Sequence, residues 1–170
     1  EAKETLDAAQ RVARMLHGPD SSEEQEVVLR LAALEGARGR LDLARPHLED
    51  LVERRSRSSG ADSLPVADAL ATLAMIAKQE GRIDDALRIA RRVIEIRERH
   101  DPPTEPRLGA MRREIANLLM DDGRIEEARA YLEEAVRRSE AGAGGDHAET
   151  ARLRVRLSYV LLALGRLDQS

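Results

Sequence analysis

Gly39-Arg40-Leu41-Asp42, Gly81-Arg82-Ile83-Asp84, Gly123-Arg124-Ile125-Glu126 and Gly165-Arg166-Leu167-Asp168 are four copies of one short motif, in which glycine and arginine precede an aliphatic and an acidic residue. Each copy begins 42 residues after the one before it. A constant period of this length is typical of stacked supersecondary units that bury their faces against one another. The chain is therefore predicted to be a repeat array, built for contact along an extended surface.

Apolar residues recur at steps of three and four on both sides of each glycine, a spacing that predicts two amphipathic helices per repeat. Leu70, Leu73 and Ala77 precede Gly81 in this way, for example, and Ile83 begins the second apolar stripe. The glycine falls at a helix C-terminus, where the backbone needs a residue that tolerates positive φ. We predict tight turns at Gly39, Gly81, Gly123 and Gly165. The predicted helices cover about 1–16, 22–38, 41–57, 64–80, 83–100, 105–122, 125–140 and 147–164, with a stub from 167.

The register of the repeat divides the chain without any linker, so we expect one array over 1–170. In this scheme 1–17 is the second helix of a truncated repeat, 22–58, 64–100 and 105–141 are complete repeats, and 147–170 is a truncated repeat. Capping-box spacings at Asp20 with Glu23 and Asp146 with Glu149 favour helix starts nearby. Because a solenoid needs polar terminal caps, we expect self-association through the truncated ends, by way of 1–16 or 151–168.

Composition narrows the classes of function. The net charge of −4 disfavours a nucleic-acid phosphate backbone as partner, and only Tyr131 and Tyr159 could stack on bases. No apolar run approaches the ~20 residues of a membrane span. Cysteine is absent, which excludes disulfides and thiolate chemistry and fits a reducing, cytoplasmic location.

No motif in the chain indicates catalysis, a cofactor or a metal. The glycine-rich segment 142–146 lacks the lysine and hydroxyl residue of a phosphate-binding loop. The acidic pairs Asp84-Asp85 and Glu126-Glu127 recur with the repeat, in first turns that favour negative charge. The histidines are scattered outside any metal-binding pattern, at His17, His47, His100 and His147. We therefore expect neither enzymatic activity nor a bound cofactor.

These features resemble tetratricopeptide repeats, whose two antiparallel helices carry small residues, here Ala44, Ala86 and Ala128, around a glycine turn. The 42-residue period and the loop His17-Gly18-Pro19-Asp20 are similar to the longer, kinesin-light-chain type of this repeat. The resemblance covers essentially the whole chain. It implies an all-α, right-handed superhelical solenoid of antiparallel helix pairs that binds a protein or peptide on its concave face.

In the family, the first helix of each hairpin lines that face. The register then implies a partner-binding set of Met75, Lys78, Arg113, Asn117, Met120, Arg152, Arg156 and Tyr159. The paired asparagines with which the kinesin-light-chain type grips a peptide are replaced here by Leu29-Arg30, Ala71-Thr72, Arg113-Glu114 and Val155-Arg156.

Two interpretations of the arginines remain open at this point. Another subgroup of the family holds a peptide's terminal carboxylate, and Arg113, Asn117, Arg152 and Arg156 match part of its residue set. Guanidinium forks and an amide suit that task; the alternative is that these are ordinary solvated arginines. Two functions also remain open: a groove that binds a peptide or partner protein, or a sensor or scaffold arm of a larger signalling protein making intramolecular or homotypic contacts. The composition of the chain would suit a GC-rich bacterium.

Overall fold

The computed structural model describes residues 2–102, 105–143 and 148–167, and all regular structure within these ranges is α-helical, as the sequence predicts. The helix boundaries differ from the predicted ones by three residues or fewer. None of the described helices is both long and apolar enough to cross a lipid bilayer. The helices are α1 (Ala2–His17), α2 (Ser22–Ala37), α3 (Leu41–Ser59), α4 (Leu64–Gln79), α5 (Ile83–His100), α6 (Pro106–Asp121), α7 (Ile125–Ala143) and α8 (Ala148–Leu167).

Three of the motif glycines end a helix in the left-handed conformation. Gly39, Gly81 and Gly123 have φ of 76°, 73° and 76°. At the second of them, the N–H of Gly81 donates to the carbonyl of Lys78 at 3.0 Å, and the N–H of Arg82 donates to that of Ala77 at 2.9 Å. The same pair of bonds recurs at Gly39 and Gly123. This is the Schellman pattern, which satisfies the last carbonyls of the helix and turns the chain back.

The fourth copy of the motif corrects the prediction. Helix α8 continues through Gly165 to Leu167, so Gly165 makes no turn and Leu167 begins no new helix. In the other copies a second helix follows the glycine, but Asp168 and the rest of that segment lie outside the described residues. Glycine accepts both backbone conformations, and Gly165, unlike the other three motif glycines, takes the right-handed helical one.

The helices pack in two compact units, residues 1–96 and 97–170. In the first unit, α2 contacts α1, α3 and α4. In the second, α7 contacts α6 and α8, and α6 also contacts α8 directly. The alanines that follow the turns, Ala44, Ala86 and Ala128, are all 0% exposed, so the small residue is required by close packing at the start of each second helix.

A buried ion pair stands out in the first unit. Glu24, which is 0% exposed, accepts a hydrogen bond from Arg54 Nη1 at 2.6 Å and others from Gln10 and Arg14 at 2.9 and 3.1 Å. Burial by itself would raise the pKa of Glu24, but these three donors outweigh it and hold the pKa below its ordinary value of 4.5. Glu24 is therefore an ionised carboxylate inside the protein.

The same repeat positions carry apolar residues in the next repeat. One period after Glu24 and Arg54 come Val66 and Ile96, which are 2% and 0% exposed. The fold thus accepts either an ion pair or an aliphatic pair at these two positions. Replacing one partner of a buried ion pair leaves the other charge uncompensated, whereas replacing both with apolar residues leaves no buried charge.

The helix start before Glu24 also corrects a prediction. Ser21, and not Asp20, is the N-cap of α2, and its hydroxyl accepts from the N–H of Glu24 at 3.2 Å. An N-cap residue needs extended backbone, which Ser21 has, whereas Asp20 has φ of 61°. The carboxylate of Asp20 instead pairs with Arg54 at 3.1 Å. Asp146, the first residue of the other predicted capping box, lies outside the described residues.

Alanine at Gly81 and at Gly165 should change stability in opposite directions. Neither position has an atom within 4 Å of an added Cβ, so backbone conformation alone separates them. Gly81→Ala should cost about 1–2 kcal/mol because of its left-handed backbone, and helical Gly165→Ala should gain up to about 1 kcal/mol. Chemical denaturation measures both. A loss of stability at Gly165, or none at Gly81, would contradict the turn assignment.

Single and double replacement of the buried ion pair should differ sharply. Glu24→Val or Arg54→Ile alone should destabilise by about 3–5 kcal/mol, and the double variant, which installs the residues of positions 66 and 96, should recover most of that loss. The lowered pKa of Glu24 also means that the wild type loses this contribution as pH falls below about 4.5. The double variant should lack that part of the acid sensitivity. Denaturation midpoints at neutral and acidic pH test both statements, and additive single effects would refute the pairing.

Candidate functional site

Two helices of the second unit bring polar residues to one groove. On α6, Arg113 and Asn117 are four residues apart and so share a face. On α8, Arg152, Val155, Arg156 and Tyr159 follow one another at steps of three or one and make a single stripe. Because α6 and α8 are in contact, the two faces meet. Buried Leu153 and Val160 anchor α8 from other faces of the helix.

The faces line an open cavity of about 440 Å³, which we call the α6–α8 groove. Cavities of this size suit a small ligand or a few side chains of a peptide. Its apolar members are well exposed, Val155 at 56% and Tyr159 at 59%. The groove is lined by Arg113, Asn117, Ala151, Arg152, Val155, Arg156 and Tyr159.

Three guanidinium groups line the groove, and two of them bind one carboxylate, that of Glu149. Arg113 Nη1 donates to Glu149 Oε1, and Arg152 Nη1 donates to Glu149 Oε2 at 3.2 Å. Arg156 Nη2 donates to the neutral Oδ1 of Asn117, and it forms no ion pair with any carboxylate in the described part of the chain. Three positive charges against one negative leave the groove electropositive.

The electrostatic surroundings of Arg113 agree with that sign. Burial, and then the positive charges of Arg152 and Arg156, lower the pKa of Arg113. A guanidinium stays protonated at neutral pH even so. The three arginines thus repel one another and favour an additional anion between them.

Glu149 is buried at the start of α8, and a glycine on α6 makes room for it. A Cβ added at Gly109 would overlap Cδ and Oε1 of Glu149. The carboxylate therefore lies directly against the backbone of α6, in the first turn of α8, where the helix dipole favours negative charge. The sequence pattern predicts for Glu149 only a role in helix capping. Its spacing of three residues before Arg152 is the signal that could have indicated an ion pair.

The other residues of the predicted partner-binding set are not in this groove. Met120 lies on α6, half-buried, and does not line it. Met75, 41% exposed, and the half-buried Lys78 lie on α4 in the first unit. The structure therefore brings together five members of the set, namely Arg113, Asn117, Arg152, Arg156 and Tyr159.

A second cavity of about 400 Å³ lies where the end of α5 and helices α6 and α7 meet. Its charges are largely compensated: Glu98 accepts from Arg112 at 2.8 Å and from Arg138 at 3.0 Å. This cavity thus offers less unbalanced charge to a ligand than the α6–α8 groove. Across the described ranges, no three His, Asp or Glu side chains are grouped to hold a metal ion.

The repeat positions of both units match one family model, that of the tetratricopeptide repeat, over residues 24–99 and 107–170. The chain belongs to the tetratricopeptide repeat family. Members of this family are in general non-enzymatic scaffolds for protein–protein interaction, and the match agrees with the predicted repeat. A search of curated protein sequences gave no significant match.

Several solved structures share the fold of this tetratricopeptide repeat protein. One is a putative kinesin light chain from Podosopora anserina with nearly identical TPR-like repeats, 18% identical with a TM-score of 0.80; the match covers 98% of this chain and 79% of that one. A variant of that protein gives the same identity and coverage with a TM-score of 0.79. BtubC (BKLC) from P. vanneervenii is 22% identical with a TM-score of 0.75, over 96% of this chain and 65% of that one. These neighbours agree with the predicted kinesin-light-chain-like repeat type, and at such identities they show the fold alone.

Proposed function

We propose that the α6–α8 groove binds a peptide segment of a partner protein through an acidic group on that segment. The observation that carries this proposal is that Arg113, Arg152 and Arg156 line one groove, while a single carboxylate, that of Glu149, bonds only two of them. Guanidinium groups form strong, often bidentate, charge-assisted hydrogen bonds with a carboxylate. The protein would act as a scaffold and not as an enzyme.

Arg156 is the main docking point in this proposal. Its described partner is the amide oxygen of Asn117, a neutral acceptor that a charged carboxylate can replace. Once displaced, the amide of Asn117 can rotate and donate its own N–H to the ligand. A peptide carboxylate would thus gain a charged and a neutral hydrogen bond at one place.

Tyr159 and Val155 provide the apolar part of the interaction. Both are more than half exposed on the same stripe of α8 as Arg152 and Arg156. Tyrosine combines a large apolar ring with a polar hydroxyl, which suits an interface that is partly wet. The favoured ligand therefore has an aliphatic or aromatic side chain next to its acidic group.

Removing two groove arginines should weaken binding of an acidic peptide. The probe is a short fluorescent peptide that contains aspartate and leucine and ends in a free carboxylate. In fluorescence polarisation, Arg113→Ala/Arg156→Ala should bind it roughly tenfold more weakly or worse. Added salt should weaken wild-type binding because the pairs are partly exposed.

The matched control is Arg137→Ala/Arg154→Ala, which removes the same charge from exposed ion pairs with Glu134 and Glu140. It should bind the probe nearly as well as the wild type. A neutral analogue of the peptide, with asparagine and an amidated end, should bind weakly to all three proteins. Equal affinity of the wild type and the groove variant would refute the proposed function.

A second proposal, homotypic contact, rests on a different observation. Helices α1 and α8 expose large apolar side chains, among them Met15 at 85%, Leu16 at 73%, Leu161 at 47% and Leu162 at 54%. Exposed apolar surfaces of this kind favour association between copies of the chain. Such contacts would suit a sensor or scaffold arm of a larger signalling protein. The cytoplasmic and bacterial setting of that arm is part of the same proposal.

Sedimentation equilibrium over a wide concentration range tests self-association. The wild type should show a concentration-dependent mass, and Leu16→Glu/Leu161→Glu should shift towards the monomer because charge replaces apolar surface on both helices. A wild type that stays monomeric at the highest concentration would rule out homotypic contact.

A further inference from the structure

Glu149 binds two of the groove arginines in the way that a ligand's carboxylate would. Its two oxygens each take a guanidinium N–H, one from Arg113 on α6 and one from Arg152 on α8. A carboxylate of a bound peptide would need the same two donors. We infer that Glu149 is a built-in competitor for ligand anions: it weakens their binding to the α6–α8 groove and narrows the range of anions that the groove accepts. This inference rests on the proposed function.

The competitor is held in place and does not sample the solvent freely. The Glu149 side chain is 7% exposed, whereas its partners Arg113 and Arg152 are 28% and 60% exposed. The absence of a side chain at Gly109 lets the carboxylate lie against α6. Moving a buried carboxylate away from both arginines would break two charge-assisted hydrogen bonds, which is costly. Glu149 therefore stays while a ligand binds, and the ligand must use what it leaves.

The hydrogen-bond donors that Glu149 leaves available to a ligand differ among the three arginines. Of the two arginines that Glu149 binds, Arg113 is the less exposed. It therefore offers a ligand fewer outward N–H groups than Arg152 does. Arg152 is mostly exposed and keeps donors on its outer edge, and Arg156 has a neutral partner. A single carboxylate can lie between Arg152 and Arg156. A second negative group would approach Glu149, and like charges repel at this range.

Neutralising Glu149 should therefore raise the affinity for acidic peptides and extend binding to peptides with more than one negative charge. With the acidic probe peptide described above, Glu149→Gln should bind roughly three- to tenfold more tightly than the wild type, because an amide of the same shape no longer competes as an anion. The gain should be larger for a probe with adjacent aspartates than for one with a single carboxylate. The matched control is Glu140→Gln, which removes the same charge from an exposed pair with Arg154 at 2.7 Å. Its affinity should stay within about twofold of the wild type.

Gly109→Ala gives a second route that leaves the net charge unchanged. The added Cβ displaces the Glu149 carboxylate from its place between the arginines. This variant should also bind the acidic probe more tightly, and it decides the matter if Glu149→Gln does not fold by circular dichroism. Unchanged or weaker binding by the folded variants would overturn the competitor role. If Arg113→Ala/Arg156→Ala loses the binding that the wild type shows, while Glu149→Gln and Gly109→Ala gain none, the competitor role falls and the groove function stands. If neither the wild type nor any variant binds the probe, both fall.

Discussion

The left-handed backbone at Gly39, Gly81 and Gly123 is the constraint on which the rest of this structure depends. Each of these residues ends a helix with the same two hydrogen bonds, and each sends the chain back at the same place in the repeat. The constant period then brings the first helices of successive repeats together, as it does for α6 and α8. The α6–α8 groove is a consequence of that register, since its arginines lie on faces that only neighbouring first helices can present to each other.

Within that frame, the positions of the repeat tolerate very different chemistry. Glu24 and Arg54 form a buried ion pair where Val66 and Ile96 are simply apolar. Since each repeat interacts mainly with its neighbours, a local exchange of this kind leaves other repeats unaffected. The same freedom allows functional residues to collect in one part of the array. In the second unit, three arginines and a buried glutamate occupy helix faces without disturbing the glycine turns.

The sequence predicted the helices closely because periodicity, small residues and turn glycines all indicate the same structure. It also predicted five residues that meet in one groove, because register alone places them on first helices. It was wrong at Gly165, where the motif occurs without a following helix in the described residues, and at Asp20, whose carboxylate binds a distant arginine and does not cap α2. Glu149 was missed for a related reason. Its role depends on Gly109 and Arg113 on another helix, and such contacts do not appear in local patterns.

If the guanidinium groups of the α6–α8 groove hold an acidic peptide, their own N–H groups report its binding. The most direct measurement follows the side-chain Nε–H resonances of the arginines by NMR while the acidic probe peptide is added. The resonances of Arg113, Arg152 and Arg156 should shift and saturate, while that of Arg137, whose ion pair with Glu134 lies on α7, should stay unchanged. Shifts that are absent from the three groove arginines, or that spread evenly over exposed arginines, would contradict binding in this groove.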